Sequence, residues 1–329
     1  MSAFAGRPNS PPLFSRIRGS SRRSGGWSVW SKISQSRTYR SIISERHCDQ
    51  HIVPLACQGM NSEPIEATRE TLALDLRGLG IKAGDIVMLH AAFRSVRPVE
   101  GGPDTLIDAI MDVVTTAGGL VMFASWEHST YDAFIAGGLS QSERDAWPAF
   151  DPQTAPVRPT HGGAVGACLA KRPGAFRSRN PDRSLLAIGS AVPILAHHPL
   201  DHGFGPGSPL QTLYEHGAKT LNLGAPLYTA TILHYAEYLC EVPSKRHVHY
   251  EVPILENGTK VWKRVTQMNR DAFVPDAQGL DPDYLEQVTR AYIATGRHLE
   301  GLVGSAQSHL FDMTDLVPFA IRYFESEYG

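Results

Sequence analysis

A histidine and two carboxylates recur at helical spacing late in the chain. Glu237 follows His234 by three residues and Glu241 follows it by seven, so a helix would place all three on one face. Thr231 lies one turn earlier, where its hydroxyl could cap the helix or hold an anion. A neutral histidine beside a carboxylate suits a general base, because its pKa lies near neutrality. The pattern predicts acid–base chemistry here, although a solvated His–Glu pair on a helix surface has the same spacing.

The same spacing is also a weak metal signal, since helical metal sites pair two His-x-x-Glu-type motifs. The chain has no second copy, so we expect no metal ion at His234. The pairs His197-His198 and His247-x-His249 have no carboxylate or cysteine at a matching distance and are expected at the surface. Motifs of serine hydrolases, P-loop kinases and dinucleotide-binding dehydrogenases are absent, which argues against those classes.

An α/β sheet must position these residues. Residues 85–90 and 120–124 are continuous apolar runs typical of buried strands, and a helix opening at Gly101-Gly102-Pro103 separates them. This order is a βαβ unit, which requires parallel pairing. A third strand, residues 219–224, directly precedes the histidine helix, which is predicted over 229–239. Ligands in such sheets bind beyond the carboxyl ends of the parallel strands, so the segment after His90 is a further candidate.

Other elements complete one α/β domain over residues 61–329, with a mixed, partly parallel sheet flanked by helices. The signals for them are a helix opening at Ser62-Glu63-Pro64 with Leu72, Leu76 and Leu79 on one face, a hairpin turn at Asn257-Gly258, a helix opening at Asp281-Pro282, and a C-terminal helix over 316–328.

The segment from Trp126 to Asp151 combines aromatic residues with carboxylates and lacks a strong period. Long segments of this kind are usually functional or disordered. Carboxylates such as Glu127 and Asp151 next to aromatic rings would suit a polycationic, sugar-like ligand. A lid that packs on the core through its aromatic rings is an equal alternative.

Composition narrows the cellular setting. Hydrophobic residues make up 42% of the chain and the net charge is −2, which fits a folded domain that does not bind nucleic acid through overall charge. The four cysteines include no Cys-x-x-Cys pair, and no run of 18 apolar residues occurs. We therefore expect a cytoplasmic protein without nucleic-acid or membrane partners.

Residues 1–60 differ from the rest of the chain. No Asp or Glu occurs before residue 45, while arginine and serine recur throughout. The segment is expected to be a disordered basic extension, with a transit peptide or a nucleic-acid-binding arm as alternatives.

Taken together, the blocks from residue 66 onward resemble the aminoglycoside 3-N-acetyltransferases, and most closely the gentamicin-type subgroup. The matching blocks, in order, are Leu79-Gly-Ile-Lys-Ala-Gly-Asp, Val87-Met-Leu-His-Ala-Ala, Gly101-Gly102-Pro103, Gly118-Gly119-Leu-Val-Met, Phe150-Asp151-Pro152, Arg177-Ser178-x-Asn180-Pro181, Gly205-x-x-Ser208-Pro209-Leu210, Leu223-Gly224-Ala225-Pro226 and Thr231-Ile-Leu-His234-x-Ala236-Glu237.

The resemblance implies an enzyme that acetylates the 3-amine of a 2-deoxystreptamine ring from acetyl-CoA and so gives antibiotic resistance. It implies a fold distinct from the GNAT acetyltransferases. Independently of the resemblance, we expect a monomer or homodimer and no metal. His234 would be the base, Glu237 would orient it, and Thr231 would bind the oxyanion. The implied CoA-binding residues are His90, Ala91, Ala92, Phe93, Arg94, Ser95, Arg177 and Ser178. The implied aminoglycoside-binding residues are Trp126, Glu127, Asp151, Tyr228 and Glu241.

The chain departs from the family pattern near the presumed site. Tyr228 stands where members usually carry Asp six residues before the histidine, and Pro206 stands where many carry Glu. Two alternatives therefore stay open. One is a CoA-dependent acyltransferase that acts on a different amine, and the other is a protein that binds aminoglycosides without catalysis.

Overall fold

The structure is a computed structural model that describes residues 66–96, 98–270, 273 and 283–329. The extension 1–60 and the helix starts expected at Ser62 and Asp281 lie outside the described residues. The domain boundary at residue 61 therefore stays a prediction.

Nine strands form two sheets in the part of the chain that the structure describes. The strands are β1 (Ile86–Ala91), β2 (Gly119–Phe123), β3 (Phe176–Arg177), β4 (Leu185–Gly189), β5 (Lys219–Leu223), β6 (His247–Glu256), β7 (Thr259–Met268), β8 (Leu299–Val303) and β9 (Ala306–Asp312). Seven of them form one sheet in the order β3-β4-β2-β1-β5-β9-β8, while β6 and β7 form a separate two-stranded sheet. Strand β1 runs parallel to both β2 and β5, and β4 and β9 flank this parallel core in antiparallel pairing. The predicted mixed, partly parallel sheet is confirmed.

Ten α-helices accompany the sheets in the described part of the chain. They are α1 (Arg69–Leu79), α2 (Phe93–Val96), α3 (Pro103–Val114), α4 (Thr130–Ile135), α5 (Gln141–Ala146), α6 (Pro159–Leu169), α7 (Pro209–Glu215), α8 (Leu233–Leu239), α9 (Tyr284–Ile293) and α10 (Met313–Tyr328). Short 3₁₀ helices occur at Val192–Leu195 and Leu227–Thr229.

The seven-stranded sheet separates two hydrophobic cores. Val87 and Leu89 of β1 belong to the core under α1, α3 and α6, whereas Met88 belongs to the core under the later helices α7–α10. This alternation follows from the two-residue period of a strand. By the same period, His90 faces the layer that contains α8.

The histidine helix begins later than the sequence predicts. Residues 227–229 form a 3₁₀ turn, and α8 starts only at Leu233, with no side-chain cap at its first residue. The hydroxyl of Thr229 instead donates to the carbonyl of Pro226 at 2.6 Å. Thr231 therefore precedes the helix and does not cap it.

The hairpin and the long segment before it are packed together. Asn257 and Gly258 have φ of +50° and +78°, as the predicted Asn-Gly turn requires. Lys260 of the hairpin donates to backbone carbonyls of α5 and the residues after it, and the Arg144 guanidinium lies 4.1 Å from the ring centre of Trp262. Segment 126–151 thus contains two helices held by the hairpin, which favours the packed lid.

Strands β8 and β9 are not anticipated by the sequence analysis. They form the far edge of the sheet, where Glu300 pairs with His309. Their alternation is weak because Gly301 and the polar residues around it interrupt the apolar pattern. Among the described residues, no helix has the length and apolar character needed to cross a membrane.

Candidate active site

His234 and Glu237 form a hydrogen-bonded pair on α8. His234 Nδ1 lies 2.9 Å from Glu237 Oε2, and the two side chains are 11% and 0% exposed. The side chains meet because three residues span almost one helical turn. The pair lies in the interior and not on a solvated helix face, so the surface alternative does not describe it.

Two further groups hold Glu237. Its other oxygen, Oε1, accepts a hydrogen bond from the Tyr284 hydroxyl at 2.6 Å, and the positive charge of Arg270 lies close enough to act on it. Burial by itself raises the pKa of Glu237, but His234, Arg270 and Tyr284 together lower it. Glu237 is therefore an ionised carboxylate with both oxygens occupied.

His234 is prepared to accept a proton at its outer nitrogen. Burial lowers its pKa and Arg270 lowers it further, while Glu237 raises it, and the net direction is downward. The imidazole is thus neutral at neutral pH. Because Nδ1 faces a carboxylate that can only accept, Nδ1 carries the proton and Nε2 keeps its lone pair. Phe204 stacks on the ring at 5.2 Å and 11°, which fixes the ring plane.

His90 connects this pair to the end of β1. It is 8% exposed, and its Nε2 accepts a hydrogen bond from the Thr231 backbone N–H at 3.4 Å. Burial, with a contribution from nearby His234, lowers the pKa of His90 to about 3. A neutral His90 therefore ties the chain before α8 to the carboxyl end of β1, where the sequence places a ligand site.

The segments after β1 and β5 touch each other. A Cβ on Gly224 would lie 1.8 Å from Ser95 Oγ, and Gly224 has a φ of +61°, so only glycine fits there. Ala91, Ala92 and Phe93 are partly exposed along this segment, and Arg94 is exposed. The sequence-predicted CoA residues of this segment are thus brought together at the edge of the sheet where the parallel strands end.

Arg177 is used inside the protein. Its guanidinium donates to the Ser184 hydroxyl at 3.1 Å and to the carbonyls of Ala155 and Ala124 at 2.5 and 2.6 Å. Burial lowers its pKa to about 10, so it stays charged at neutral pH. These bonds join β3 to the loops around residues 124 and 155. They give Arg177 a structural role, and its contact with a CoA phosphate stays a prediction.

Ser178 is likewise structural. It is fully buried, and its oxygen accepts the Leu185 N–H at 2.9 Å and contacts His198 Nδ1 at 2.8 Å. His198 Nε2 lies 2.8 Å from the carbonyl of Gly203, so Nε2 carries the proton and Ser178 donates to Nδ1. His198 was expected at the surface and is instead buried, which lowers its pKa to about 4. A buried and fully bonded Ser178 cannot reach CoA.

The predicted aminoglycoside residues divide into core and exposed positions. Trp126 is 1% exposed and packs 5.5 Å from Phe150, so it is part of the core and not a binding surface. Asp151 accepts from the Gln153 N–H and the Thr154 hydroxyl at 3.0 and 2.9 Å, which shapes a turn. Glu127, four residues after the end of β2, is exposed.

Tyr228 precedes α8 in the sequence, and Glu241 comes after the end of that helix. Tyr228 is 47% exposed in the 3₁₀ turn before the helix. Glu241 follows the last residue of α8, and its backbone N–H donates to Glu325 of α10 at 3.0 Å. Since the helix ends at Leu239, Glu241 does not share a helix face with His234, and that expectation is wrong. Its contact with the aminoglycoside stays a prediction.

Several residues around the pair were missed. Tyr284 and Arg270 come from distant segments, and Phe204 from a loop, so no local spacing identifies them. A row of rings continues from Phe204 through Phe123 to His161, whose Nδ1 contacts the Ser125 hydroxyl. Ser125 lies two residues after the end of β2, and its place in a polar stretch after a predicted strand already marks it in the sequence.

This arrangement can take up one proton at a neutral imidazole and stabilise the resulting imidazolium with a buried carboxylate. It lies beside the carboxyl ends of β1 and β5, where a substrate can approach. Such a site suits an acyl transfer to an amine, because the attacking amine must lose a proton.

Comparison with known proteins identifies the class. Residues 88–325 match the family model described as aminoglycoside 3-N-acetyltransferase. The chain is 39% identical over 267 residues to aminoglycoside N(3)-acetyltransferase III from Salmonella sp., an alignment that covers 80% of this chain and 93% of the relative.

Solved structures of acetyltransferases are similar to this chain in fold as well as in sequence. The complex of AAC-IIIb with CoASH has a TM-score of 0.75 and 38% identity, covering 80% of this chain and 98% of that one. The sisomicin-bound AAC-VIa structure has a TM-score of 0.76 and 34% identity, covering 80% and 100%.

The chain belongs to the aminoglycoside 3-N-acetyltransferase family, as the resemblance implied. It is an acyltransferase that uses acetyl-CoA as co-substrate to acetylate aminoglycosides, an activity that gives antibiotic resistance.

Proposed function

We propose that His234 is the general base and that the enzyme acts on the 3-amine of 4,6-disubstituted aminoglycosides such as gentamicin and sisomicin. The observation that carries the proposal is the buried 2.9 Å contact between His234 Nδ1 and the ionised Glu237, which leaves Nε2 as the free proton acceptor. Sisomicin is bound by the related AAC-VIa, which supports the substrate class.

The reaction balances through this pair. The substrate ammonium first loses one proton to solvent, and the neutral amine attacks the carbonyl carbon of the thioester. As the C–N bond forms, the nitrogen gives a second proton to His234 Nε2. The C–S bond breaks, and CoA leaves as a thiolate that takes this proton from the imidazolium. Glu237 stabilises the transient imidazolium through Nδ1. Thr231, 4% exposed and next to His90, is proposed to bind the developing oxyanion.

The segment after β1 is proposed to hold CoA. Its backbone from Ala91 to Ser95 lies at the carboxyl end of a parallel strand, and Arg94 presents an exposed guanidinium suited to a phosphate. The exposed Glu127 and Tyr228 are proposed to contact the aminoglycoside. We further propose that the enzyme is cytoplasmic, acts as a monomer or homodimer, and uses no nucleic-acid or membrane partner; light scattering on the purified chain gives the oligomeric state.

Tyr228 favours a second candidate, an acyltransferase that prefers a different amine. An exposed phenol stands where the family usually has a carboxylate, and a phenol cannot pair as an anion with a substrate ammonium. Tyr228→Asp separates the candidates, because it should raise kcat/KM for aminoglycosides if the missing charge limits binding.

The decisive experiment is CoA release with a panel of aminoglycosides that carry or lack a 3-amine. Turnover is expected only with the 3-amine, and His234→Gln should reduce it by about 10²–10⁴-fold. Near wild-type turnover in His234→Gln would remove the base assignment. Turnover of simple amines but not of aminoglycosides would favour the second candidate, and tight antibiotic binding without turnover would indicate a binding protein.

A further inference from the structure

Three potential metal ligands meet at the far edge of the seven-stranded sheet. They are His298, directly before β8, Glu300 within β8, and His309 opposite Glu300 in β9. Residues two apart on a strand point to the same face, and directly paired residues on neighbouring strands share that face. The register therefore brings all three side chains together although 11 positions separate the first from the last in the sequence.

The spacing of the ligand atoms fits a tetrahedral ion. His298 Nε2 and His309 Nδ1 lie 3.4 and 3.6 Å from Glu300 Oε2. Zinc bonds of about 2.0–2.2 Å imply ligand-to-ligand distances of about 3.3–3.6 Å in a tetrahedron. One atom from each residue lies within 4.8 Å of the others, so the widest pair needs to close by roughly 1 Å, which side-chain torsions can provide.

One of the proposed ligand atoms is not satisfied by the protein. His309 Nδ1 is buried and lacks a hydrogen-bond partner, which is costly for a polar atom. The His298 side chain is 7% exposed, whereas that of Glu300 is 56% exposed. The site therefore has two sheltered nitrogens and a carboxylate that keeps it open to solvent, as an ion with one or more bound waters requires.

We propose that His298, Glu300 and His309 bind one Zn²⁺-type divalent ion that clips the edge strand β8 to β9. Two imidazoles and one carboxylate select transition metals over Mg²⁺ and Ca²⁺, which prefer all-oxygen sites. The site is separate from the His234–Glu237 pair. His90, Asn222, His309 and Glu300 pair in a row across β1, β5, β9 and β8, so the cluster lies about two strand spacings, roughly 10 Å, from His90 along the sheet.

The chain offers a matched control. His247 and His249 are also two residues apart on a strand, but their partners in β7 are Met268 and Thr266, so no carboxylate lies opposite them. His249→Gln removes an exposed histidine from a histidine pair that lacks the carboxylate. Glu300→Gln removes one proposed ligand from an exposed side chain, so it should not disturb folding.

The test measures how much zinc the full chain contains and how tightly it binds Zn²⁺. The chain is purified without a histidine tag, stripped of metal with a chelator and then reloaded with Zn²⁺. Histidines and cysteines in residues 1–60 can add their own zinc, so the readout is the difference between variants. We expect Glu300→Gln and His309→Gln to lose one equivalent of zinc and His249→Gln to lose none. Zinc at about 100 times its Kd should raise the Tm of the wild type by about 5 °C or more and leave that of Glu300→Gln unchanged.

Two results with zinc, and one with Co²⁺, would overturn the proposal. One is equal zinc content and an equal Tm shift in the wild type and Glu300→Gln, and the other is loss of the zinc equivalent in His249→Gln. Tetrahedral Co²⁺ absorption that persists in Glu300→Gln would count against it in the same way.

Discussion

Replacing Glu237 by Gln tests the catalytic pair without changing side-chain size. The carboxylate has two acceptor oxygens, and both are used, one by His234 and one by Tyr284. Gln has one acceptor oxygen and one NH₂ group that only donates. If the NH₂ faces His234, Nδ1 must become the acceptor, the proton moves to Nε2, and the base is lost. If it faces Tyr284, the buried hydroxyl loses its acceptor.

Loss of the charge adds to this effect. Glu237 raises the pKa of His234 against burial and against Arg270, so its removal must lower that pKa further. The imidazolium formed in the reaction is then opposed by Arg270 with no carboxylate to balance it. We expect kcat/KM to fall by about 10²–10⁴-fold, the range of a general-base contribution, which corresponds to about 2.7–5.5 kcal/mol. Arg270 also loses the buried carboxylate that acts on it, although Asp283 and Tyr284 remain beside it, so the free energy of unfolding should fall by about 1.5–3 kcal/mol.

The assay is thiol release from acetyl-CoA with gentamicin across pH, at a temperature where circular dichroism shows both proteins folded. The acid limb of kcat/KM should move to lower pH in Glu237→Gln, because a lower pKa keeps His234 unprotonated in more acidic solution. Glu241→Gln is the control and should match the wild type, since Glu241 lies beyond α8. Activity of Glu237→Gln within about tenfold of wild type, with an unmoved acid limb, would refute the reasoning.

Three further outcomes follow from the same geometry. Tyr284→Phe removes the 2.6 Å hydrogen bond to the buried Glu237 carboxylate, so the free energy of unfolding should fall by about 1–3 kcal/mol. The kcat should also fall, but by less than in Glu237→Gln. An unchanged urea midpoint would contradict this prediction. Arg94→Ala should raise the KM for acetyl-CoA by about 3–10-fold with little change in kcat, because it removes an exposed guanidinium proposed to bind a phosphate. Arg264→Ala, which removes an exposed arginine from the hairpin, should leave this KM unchanged. Equal KM values in both variants would show that Arg94 does not contact CoA. Burial lowers the pKa of His90 to about 3 and that of His198 to about 4, from the ordinary value of 6.5. Between these values the unfolded chain binds protons that the folded chain does not. The free energy of unfolding should therefore drop as pH falls from about 6.5 toward 4. Urea midpoints at about pH 7 and pH 5 measure the drop, and a smaller drop in His198→Gln is expected; an identical drop would exclude His198 as a source.

The sequence by itself determined the parallel core and the proximity of His234 and Glu237. Continuous apolar runs at 85–90 and 120–124 with a helix between them can form only a buried βαβ unit, and β1 and β2 are parallel as predicted. His234 and Glu237 are three residues apart, so the helix alone brings them together. Local periodicity is enough for features of this kind, because the contacts lie within one element or between adjacent ones.

Tertiary structure decided which side chains are buried and what they face. The side chains of Arg177, Ser178 and Trp126 are of types suited to ligand binding, yet packing buries all three. The polar groups of Arg177 and Ser178 make hydrogen bonds within the protein. Tyr284 and Arg270 reach Glu237 from segments 33 and more residues away, and a contact of that range leaves no period in the sequence. The physical reason is common to all of them: a pattern fixes the face on which a side chain lies, but only the packed neighbours fix its desolvation, its hydrogen-bond partner and hence its pKa.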